Sequence, residues 1–278
     1  MTENSIRVGV ENQGVEIGYH NRISSELVYF LFQDMIATPA LVPRVRFDVV
    51  AAGKKPMLSL WQKEKRYYFG KSFYKLGYIL FNEVLYHCIA DNKSHYAIHA
   101  GAIRQGSRGV IFPGKSGAGK SLLTAWLLIH GSSYLSDELV LISPENGKIT
   151  ALARPLSFKK EGLTLLPGSA ADDATKIISD KRGSMVPHRL FNPNFTHQES
   201  VLDTIVFPEY NKDSRTRLEK VSPAKSLLYL LSCYVNAKNF QHLGISNLSQ
   251  LVKRCDSYKL TYNSFEGLKD IIPALLSR

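Results

Sequence analysis

The sequence predicts an α/β protein, with a small α+β N-terminal domain over residues 1–68 and a larger domain over residues 69–278. The first observation is size: 278 residues, 44% of them hydrophobic, suffice for one large domain or two unequal ones. The second is the alternation of short apolar runs with segments of helical periodicity. The third is a glycine-rich loop at residues 114–121, which lies between an apolar run and an apolar helical pattern.

The N-terminal domain is predicted from four apolar runs separated by polar turns, which read IRVGV, VEIGY, VRFDVVAA and RYYFG. The helical pattern SSELVYFLFQDM lies between the second run and the third. A longer helix is expected over residues 71–90. There, apolar side chains recur at helical spacing, at Phe73, Leu76, Leu80, Val84 and Cys88.

The larger domain continues with alternating strands and helices. Strands are predicted for HYAIHAGAI, VIFP, ELVLIS and TIVFP, with a hairpin turn at residues 146–148. Helices are predicted for SLLTAWLLIHG, which ends at Gly131, and for SPAKSLLYLLSCYVNAKNF and NLSQLVKRCDS. Residues 162–194 are polar and rich in Gly, Ser and Pro, which predicts a long mobile segment.

The composition disfavours several classes of protein. The net charge is +11, but the basic residues are scattered and form no RNP-like or zinc-finger pattern, so nucleic acid is not expected as a partner. The chain has no apolar stretch near the roughly 18 residues of a membrane-spanning helix and no secretory signal pattern, so membrane insertion is not expected. Cys88, Cys233 and Cys255 are too widely spaced to predict a disulfide framework or a metal cage, and a cytoplasmic, reduced protein is expected.

The glycine-rich loop reads GKSGAGKS and fits the phosphate-loop pattern G-x-x-x-x-G-K-[ST] at every fixed position. Glycines let backbone amides surround phosphate oxygens, and the helix that follows adds its N-terminal dipole. Lys120 is expected to reach the β- and γ-phosphates, and the hydroxyl of Ser121 to bind Mg²⁺. The predicted cofactors are ATP and Mg²⁺. The predicted nucleotide-binding residues are Gly114, Lys115, Ser116, Gly117, Ala118, Gly119, Lys120 and Ser121.

Two further patterns narrow the class of phosphate-loop protein. A GTPase is not expected, because neither NKSH at 92–95 nor NKDS at 211–214 fits the Asn-Lys-x-Asp pattern that recognises guanine. In YLSDELVLI, the acids Asp137 and Glu138 precede the apolar run, so they are expected at the start of a strand. An ordinary ATPase of this class places its acid at the end of an apolar strand. The order therefore disfavours a motor or transporter ATPase.

The segments HAGAI, GVIFPGKSGAGKS and YLSDELVLI resemble the catalytic domain of the HPr kinase/phosphorylase superfamily, whose fold is of the phosphoenolpyruvate carboxykinase-like type. His99 lies 22 residues before Ser121 and Asp137 lies 16 after it, as in that family. The likeness is greatest to the HPr-kinase-related kinases, whose substrate is uncertain. Further shared segments are RPLSFK at 154–159, residues 181–185, IVFPEY at 205–210, RLEKVSPAK at 217–225 and CDSYKLTY at 255–262.

The resemblance implies a role for each of these side chains. Asp137 would be the catalytic base that takes the proton of an acceptor hydroxyl, and Glu138 would join Ser121 at Mg²⁺. His99 would hydrogen-bond Asp137 and tune its basicity, and Lys120 would complete the catalytic set. Adjacent residues of a regular strand point to opposite faces, so both acids can serve one metal only if the strand is irregular there.

Basic residues outside the loop have two interpretations. Arg154 is either a ligand for phosphate or an acidic substrate, or a surface arginine. Lys181, Arg182 and Arg189 either close over the transferred phosphate or belong to the solvated surface. The E-x-R-G-L-G-like signature of the bifunctional enzymes is absent, since the corresponding stretch reads RPLSFKKEG. Phosphorylase capacity is therefore not expected.

The sequence is compatible with three functions. The first is an ATP-dependent kinase acting on a serine or another hydroxyl of a protein, peptide or small molecule. The second is a non-catalytic module that senses nucleotide and regulates a partner. The third is an ATPase or a protein associated with nucleic acid through its basic surface. A homo-oligomer is possible, because HPr kinases assemble into hexamers.

Overall fold

The structure is a computed structural model that describes residues 4–37, 40–159, 162–166, 176–196 and 199–276. Its strands are β1 (Asn4–Val10), β2 (Gln13–Tyr19), β3 (Val45–Ala52), β4 (Met57–Gln62), β5 (Lys65–Gly70), β6 (Tyr96–Ile98), β7 (Ala100–Gln105), β8 (Arg108–Pro113), β9 (Ser133–Ser136), β10 (Val140–Ile142), β11 (Lys148–Thr150), β12 (Leu156–Lys159), β13 (Ile178–Asp180), β14 (Gly183–Val186), β15 (Ser200–Tyr210), β16 (Arg217–Lys220) and β17 (Asp256–Tyr262). Its α-helices are α1 (Arg22–Phe32), α2 (Phe73–Ile89), α3 (Lys120–Ile129), α4 (Pro223–Leu231), α5 (Ile245–Lys253) and α6 (Leu268–Leu276). This mixture of strands and helices confirms the predicted α/β class.

The chain forms two compact units. Unit 1 comprises residues 1–92 and 153–187, and unit 2 comprises residues 93–152 and 188–278. These units do not coincide with the predicted division at residue 68. The physical reason is that helix α2 packs against strands β2 and β4 of the N-terminal sheet and against β13, so it belongs to unit 1.

Unit 1 contains a five-stranded sheet in the order β1-β2-β3-β4-β5 and a three-stranded sheet in the order β12-β14-β13. Helix α2 begins after Ser72, whose hydroxyl accepts a hydrogen bond from the backbone amide of Lys75. The predicted apolar stripe of this helix is buried at Leu76, Leu80 and Val84. Burial of that stripe is what the helical spacing predicted.

Unit 2 is built around a nine-stranded sheet. Seven of its strands follow the order β6-β10-β11-β15-β8-β7-β9, β17 pairs with β15, and β16 pairs with β17. Strands β8, β15 and β17 are parallel to one another. Their carboxyl ends therefore lie at the same edge of the sheet, which is the edge where parallel sheets usually bind ligands.

Two neighbouring strands of this sheet are interrupted at the same level. His99 separates β6 from β7, and residues 137–139 separate β9 from β10. The strands pair on both sides of the interruption, with Ile98 opposite Val140 and Ala102 opposite Ser136. At the second interruption, the hydroxyl of Ser136 donates hydrogen bonds to the carbonyls of Leu139 and Leu152. As a result, His99 and the two acids lie close together.

The predicted elements around the loop are confirmed. Strand β8 precedes it and helix α3 follows it. Helix α3 ends before Gly131, whose φ of 94° is the left-handed conformation expected after a helix. The hairpin predicted at residues 146–148 joins β10 to β11.

Other sequence expectations need correction. The segment 162–194 is not wholly irregular, because β13 and β14 pair within it, while its residues 167–175 lie outside the described part of the chain. The helix predicted in SPAKSLLYLLSCYVNAKNF ends at Leu231, and a bridge between Ile98 and Tyr234 follows. No helix among the described residues has the length and apolar character needed to cross a bilayer.

Candidate functional site

The loop of residues 114–119 follows β8 and ends directly before Lys120, the first residue of α3. Gly117 and Gly119 adopt φ values of 91° and 92°, which residues with a Cβ atom rarely adopt. Within the described residues, the backbone amides of Ser116, Gly117 and Gly119 have no hydrogen-bond acceptor in the protein. Backbone amides left open by such a turn form an anion-binding concavity. The local geometry therefore fits a phosphate group.

Lys120 is buried at the start of α3, with 6% of its surface exposed. Its ammonium group donates to the carbonyls of Gly114, at 2.8 Å, and Lys115, at 3.2 Å. Burial lowers the pKa of Lys120, while the charges of Glu138 and Asp137 oppose that shift. Among the described residues, no carboxylate is in hydrogen-bond contact with this ammonium group. Such a buried cation is suited to an incoming anion, because phosphate oxygens would restore the lost solvation.

Ser121 and Asp137 are joined directly. The Ser121 hydroxyl lies 3.0 Å from Oδ1 and 2.9 Å from Oδ2 of Asp137, and it donates to this carboxylate. Asp137 itself is buried, with 1% of its surface exposed. A hydroxyl and a carboxylate in contact offer two oxygen ligands of the kind Mg²⁺ prefers, with phosphate oxygens and water left to complete its coordination.

The side chain of Glu138 contacts His99. Its Oε1 lies 3.4 Å from Nε2 of His99, and both side chains are partly exposed. Glu138 has a φ of 87°, an unusual value for a residue other than glycine, so the backbone is strained at this position. The irregular strand that two neighbouring acids require for a shared site is therefore present.

Two details differ from the sequence expectations. The acids were expected at the start of a strand, but β9 ends at Ser136, directly before Asp137, and β10 begins only at Val140. A four-residue strand is too short to be recognised from its apolar pattern. The order of acid and strand thus gives no argument against an ordinary ATPase. In addition, His99 was expected to contact Asp137, whereas its side chain lies 3.4 Å from that of Glu138.

The basic residues outside the loop lie in other surroundings. Arg154 is buried in unit 1, where it stacks on the ring of Phe81 at 3.9 Å and donates to Ser157 at 2.6 Å. It is therefore not the surface arginine that the sequence allowed. Arg182 donates to Asp180 at 3.3 Å in the turn between β13 and β14. Arg189 belongs to unit 2 and lies over the ring of Phe195.

Sequence reasoning missed two side chains around the loop. Tyr262, at the end of β17, is buried and donates its hydroxyl to the carbonyl of Gly119 at 3.2 Å. Thr124 lies one turn beyond Ser121 on α3, and a Cβ at Gly101 would meet its hydroxyl at 2.5 Å and Asp137 at 3.7 Å. Only a glycine fits at that point. The sequence signals for them were weak: Thr124 lies in the apolar helix that follows the motif, and Tyr262 ends the segment CDSYKLTY.

Comparisons with known proteins add little to this geometry. No family model matches the chain, and none of the curated proteins matches it. One similar solved structure is that of the Hpr(Ser) kinase/phosphatase from Coxiella burnetii, with a TM-score of 0.33 and 14% identity, over 65% of this chain and 93% of that chain. A match of this size carries no argument about fold or function. Membership of the HPr kinase superfamily stays a prediction from the motifs.

Proposed function

We propose that this chain binds ATP with Mg²⁺ at residues 114–121 and transfers the γ-phosphoryl group to a hydroxyl of an acceptor. The observation that carries the proposal is the contact of Ser121 with Asp137 beside the buried ammonium group of Lys120. Phosphoryl transfer depends mainly on positioning and on electrostatic stabilisation of the phosphate oxygens. The phosphate loop and Lys120 would position and stabilise the phosphates. The carboxylate of Asp137, which Ser121 contacts, would add a ligand for the metal.

The loop would hold the phosphates through its open amides, and Lys120 would exchange its two carbonyl partners for phosphate oxygens. This exchange would place a full positive charge next to the group that is transferred. Mg²⁺, when bound by Ser121 and one carboxylate, would neutralise charge on the phosphate oxygens. The residues present therefore fit both predicted cofactors.

The two acids would have different roles. Asp137 is buried against Ser121, which favours a place at the metal, whereas Glu138 is half-exposed beside His99, where an acceptor hydroxyl could reach it. We therefore assign proton acceptance to Glu138 and metal binding to Asp137. The assignment implied by the family resemblance, with Asp137 as base and Glu138 at the metal, is the alternative, and variants of the two residues separate the two schemes.

In the proposed reaction, the acceptor oxygen forms a bond to the γ-phosphorus while the bond from that phosphorus to the β–γ bridging oxygen breaks. The acceptor proton passes to the carboxylate of Glu138, and the bridging oxygen keeps the electron pair in the ADP product. His99 would orient Glu138 through their contact at 3.4 Å. The acceptor is a hydroxyl of a protein, a peptide or a small molecule, with serine as the favoured case. No phosphorylase activity is proposed.

The test uses radiolabelled ATP with Mg²⁺ and a library of peptides and small molecules that carry hydroxyl groups, with water as an additional acceptor measured by ¹⁸O incorporation into phosphate. We expect Mg²⁺-dependent label transfer that is lost in Lys120→Met. Lys253→Met, which changes an exposed lysine of α5, is the matched control. Tight ATP binding without transfer to any acceptor or to water would contradict the kinase and favour the nucleotide-sensing module.

A further inference from the structure

Two tyrosines stand at the carboxyl ends of strands beside the phosphate loop. Strands β15 and β17 are parallel, and Tyr210 pairs with Tyr262 as the last residues of their register. Strand β15 is also parallel to β8, which leads into the loop. Both tyrosines are therefore at the sheet edge where the loop begins.

Tyr262 anchors this pair to the loop. It is buried, and its hydroxyl donates to the carbonyl of Gly119 at 3.2 Å. Burial raises the pKa of Tyr262, so the hydroxyl keeps its proton and remains a donor. The carbonyl of Tyr262 in turn accepts a hydrogen bond of 2.9 Å from the backbone amide of Asn211. The chain directly after Tyr210 is thereby fixed.

Tyr210 presents an aromatic surface next to the loop. Its Cβ lies 3.6 Å from the position that a Cβ at Gly119 would occupy. Its ring packs against Tyr262 at 5.6 Å between centroids, with an interplanar angle of 71°. Even so, Tyr210 remains 44% exposed. An aromatic side chain held in place at a sheet edge is prepared for contact with a planar ligand at little further entropic cost.

The strand order also indicates in which direction the bound nucleotide would extend from the loop. Strands β7 and β9 lie on one side of β8, and Asp137 follows β9. Strands β15 and β17 lie on the other side of β8. Ser121 and Asp137 mark the end of the loop where the terminal phosphate and the metal would bind. The nucleoside end of the ligand would therefore lie toward Tyr210.

We propose that the exposed ring of Tyr210 is the platform on which the nucleobase of the bound nucleotide stacks. The inference rests on the proposed function, since it presumes that phosphates bind at residues 114–121. Stacking of a base on an aromatic side chain contributes a substantial part of the affinity at comparable sites. Tyr262 acts as a positioning residue that holds Tyr210 and the loop together.

The test measures binding of ATP and of inorganic tripolyphosphate, each with Mg²⁺, by isothermal titration calorimetry. Tripolyphosphate has the phosphates of ATP but no base. We expect Tyr210→Ala to weaken ATP binding on the order of tenfold and to leave tripolyphosphate binding unchanged. Tyr210→Phe keeps the ring and should bind both ligands like the wild type. Tyr86→Ala, at an exposed tyrosine of α2, is the control for loss of a surface ring.

A second readout places a reporter at the platform. The variant Tyr210→Trp adds a third tryptophan to Trp61 and Trp126 of the wild type. The extra fluorescence of this variant, after the wild-type signal is subtracted, should be quenched by ATP and not by tripolyphosphate. Unchanged ATP affinity in Tyr210→Ala, or equal weakening of both ligands, would overturn the platform. If the wild-type protein binds neither ligand, the proposed function itself fails. The two failures are therefore distinguishable.

Discussion

The two compact units hold their charged residues in different ways. In unit 2, Lys120 is buried and, among the described residues, donates to backbone carbonyls alone, while Asp137 accepts from a hydroxyl. In unit 1, Arg154 is also buried, but it packs on an aromatic ring and bonds within its own segment. The first arrangement suits the ligand proposed for unit 2, whereas the second packs the charge on a ring of unit 1. Burial of a charge therefore does not by itself mark a site.

The largest expected effect comes from Lys120→Met. Phosphoryl transfer should fall by about 10²–10³-fold or more, because the variant removes the cation that faces the transferred group. The free energy of unfolding should not fall. Burial lowers the pKa of Lys120, so the folded state disfavours the charged form, and the variant removes that cost.

The pH dependence of this effect has a definite sign. A lysine with a lowered pKa in the folded state is most costly at pH values below that pKa, where it is charged in both states. The stability advantage of Lys120→Met should therefore be greatest at low and neutral pH and vanish as the pH rises toward the ordinary lysine pKa. Chemical denaturation over that pH range measures it. A loss of stability at neutral pH would indicate that Lys120 is a structural residue like Arg154.

The next effect separates the two acids. Glu138→Gln should lower the rate constant of transfer by about 10²–10⁴-fold with little change in ATP affinity, because it removes the proton acceptor. Asp137→Asn should weaken Mg²⁺-dependent ATP binding by about 10–100-fold, as loss of a metal-site carboxylate does. Calorimetry and single-turnover kinetics on both variants give the comparison. The reverse pattern would assign the base to Asp137 and the metal to Glu138.

Arg154→Ala tests unit 1. We expect a loss of about 2–3 kcal/mol in the free energy of unfolding, because the variant removes a buried stack on Phe81 and two hydrogen bonds. Arg182→Ala, which removes a half-exposed ion pair, should change stability by about 0.5 kcal/mol or less. Transfer per folded molecule should stay within about twofold of the wild type in both variants. A hundredfold loss of transfer in Arg154→Ala with intact stability would place Arg154 in the site after all.

The smallest effect concerns the thiols, which report on the two units separately. Burial raises the pKa of Cys88, in unit 1, and of Cys255, in unit 2, to about 12. Both should be alkylated very slowly at pH 8, because little thiolate is present. Arg154→Ala should accelerate alkylation of Cys88 and leave Cys255 unaffected, as peptide mass spectrometry can show. Equal acceleration at both cysteines would mean that the two units open together.

The sequence predicted the loop because its requirements are local. Eight consecutive residues define it, and an apolar strand and helix on either side supply the context. The predicted helix over residues 71–90 was confirmed for the same reason, since a long stripe of regular period depends little on distant contacts.

The arrangement around the loop could not be predicted in the same way. The contact of His99 with Glu138 arises from matched interruptions in two strands, and such interruptions depend on the pairing of the whole sheet. Tyr262 lies 143 residues from its partner Gly119, and no local pattern links them. The burial of Arg154 follows from its position over Phe81, which is distant in the sequence.

The measurement that tests the central claim most directly is ATP binding by calorimetry with Mg²⁺ and with EDTA, in the wild type and in Ser121→Ala. We expect one ATP per chain, bound more tightly with Mg²⁺ than with EDTA, and we expect Ser121→Ala to lose most of this Mg²⁺ effect while it remains folded. ATP affinity that is unaffected by Mg²⁺, or a Mg²⁺ effect that persists unchanged in Ser121→Ala, would contradict the assignment of residues 114–121 and Asp137 as a nucleotide–metal site.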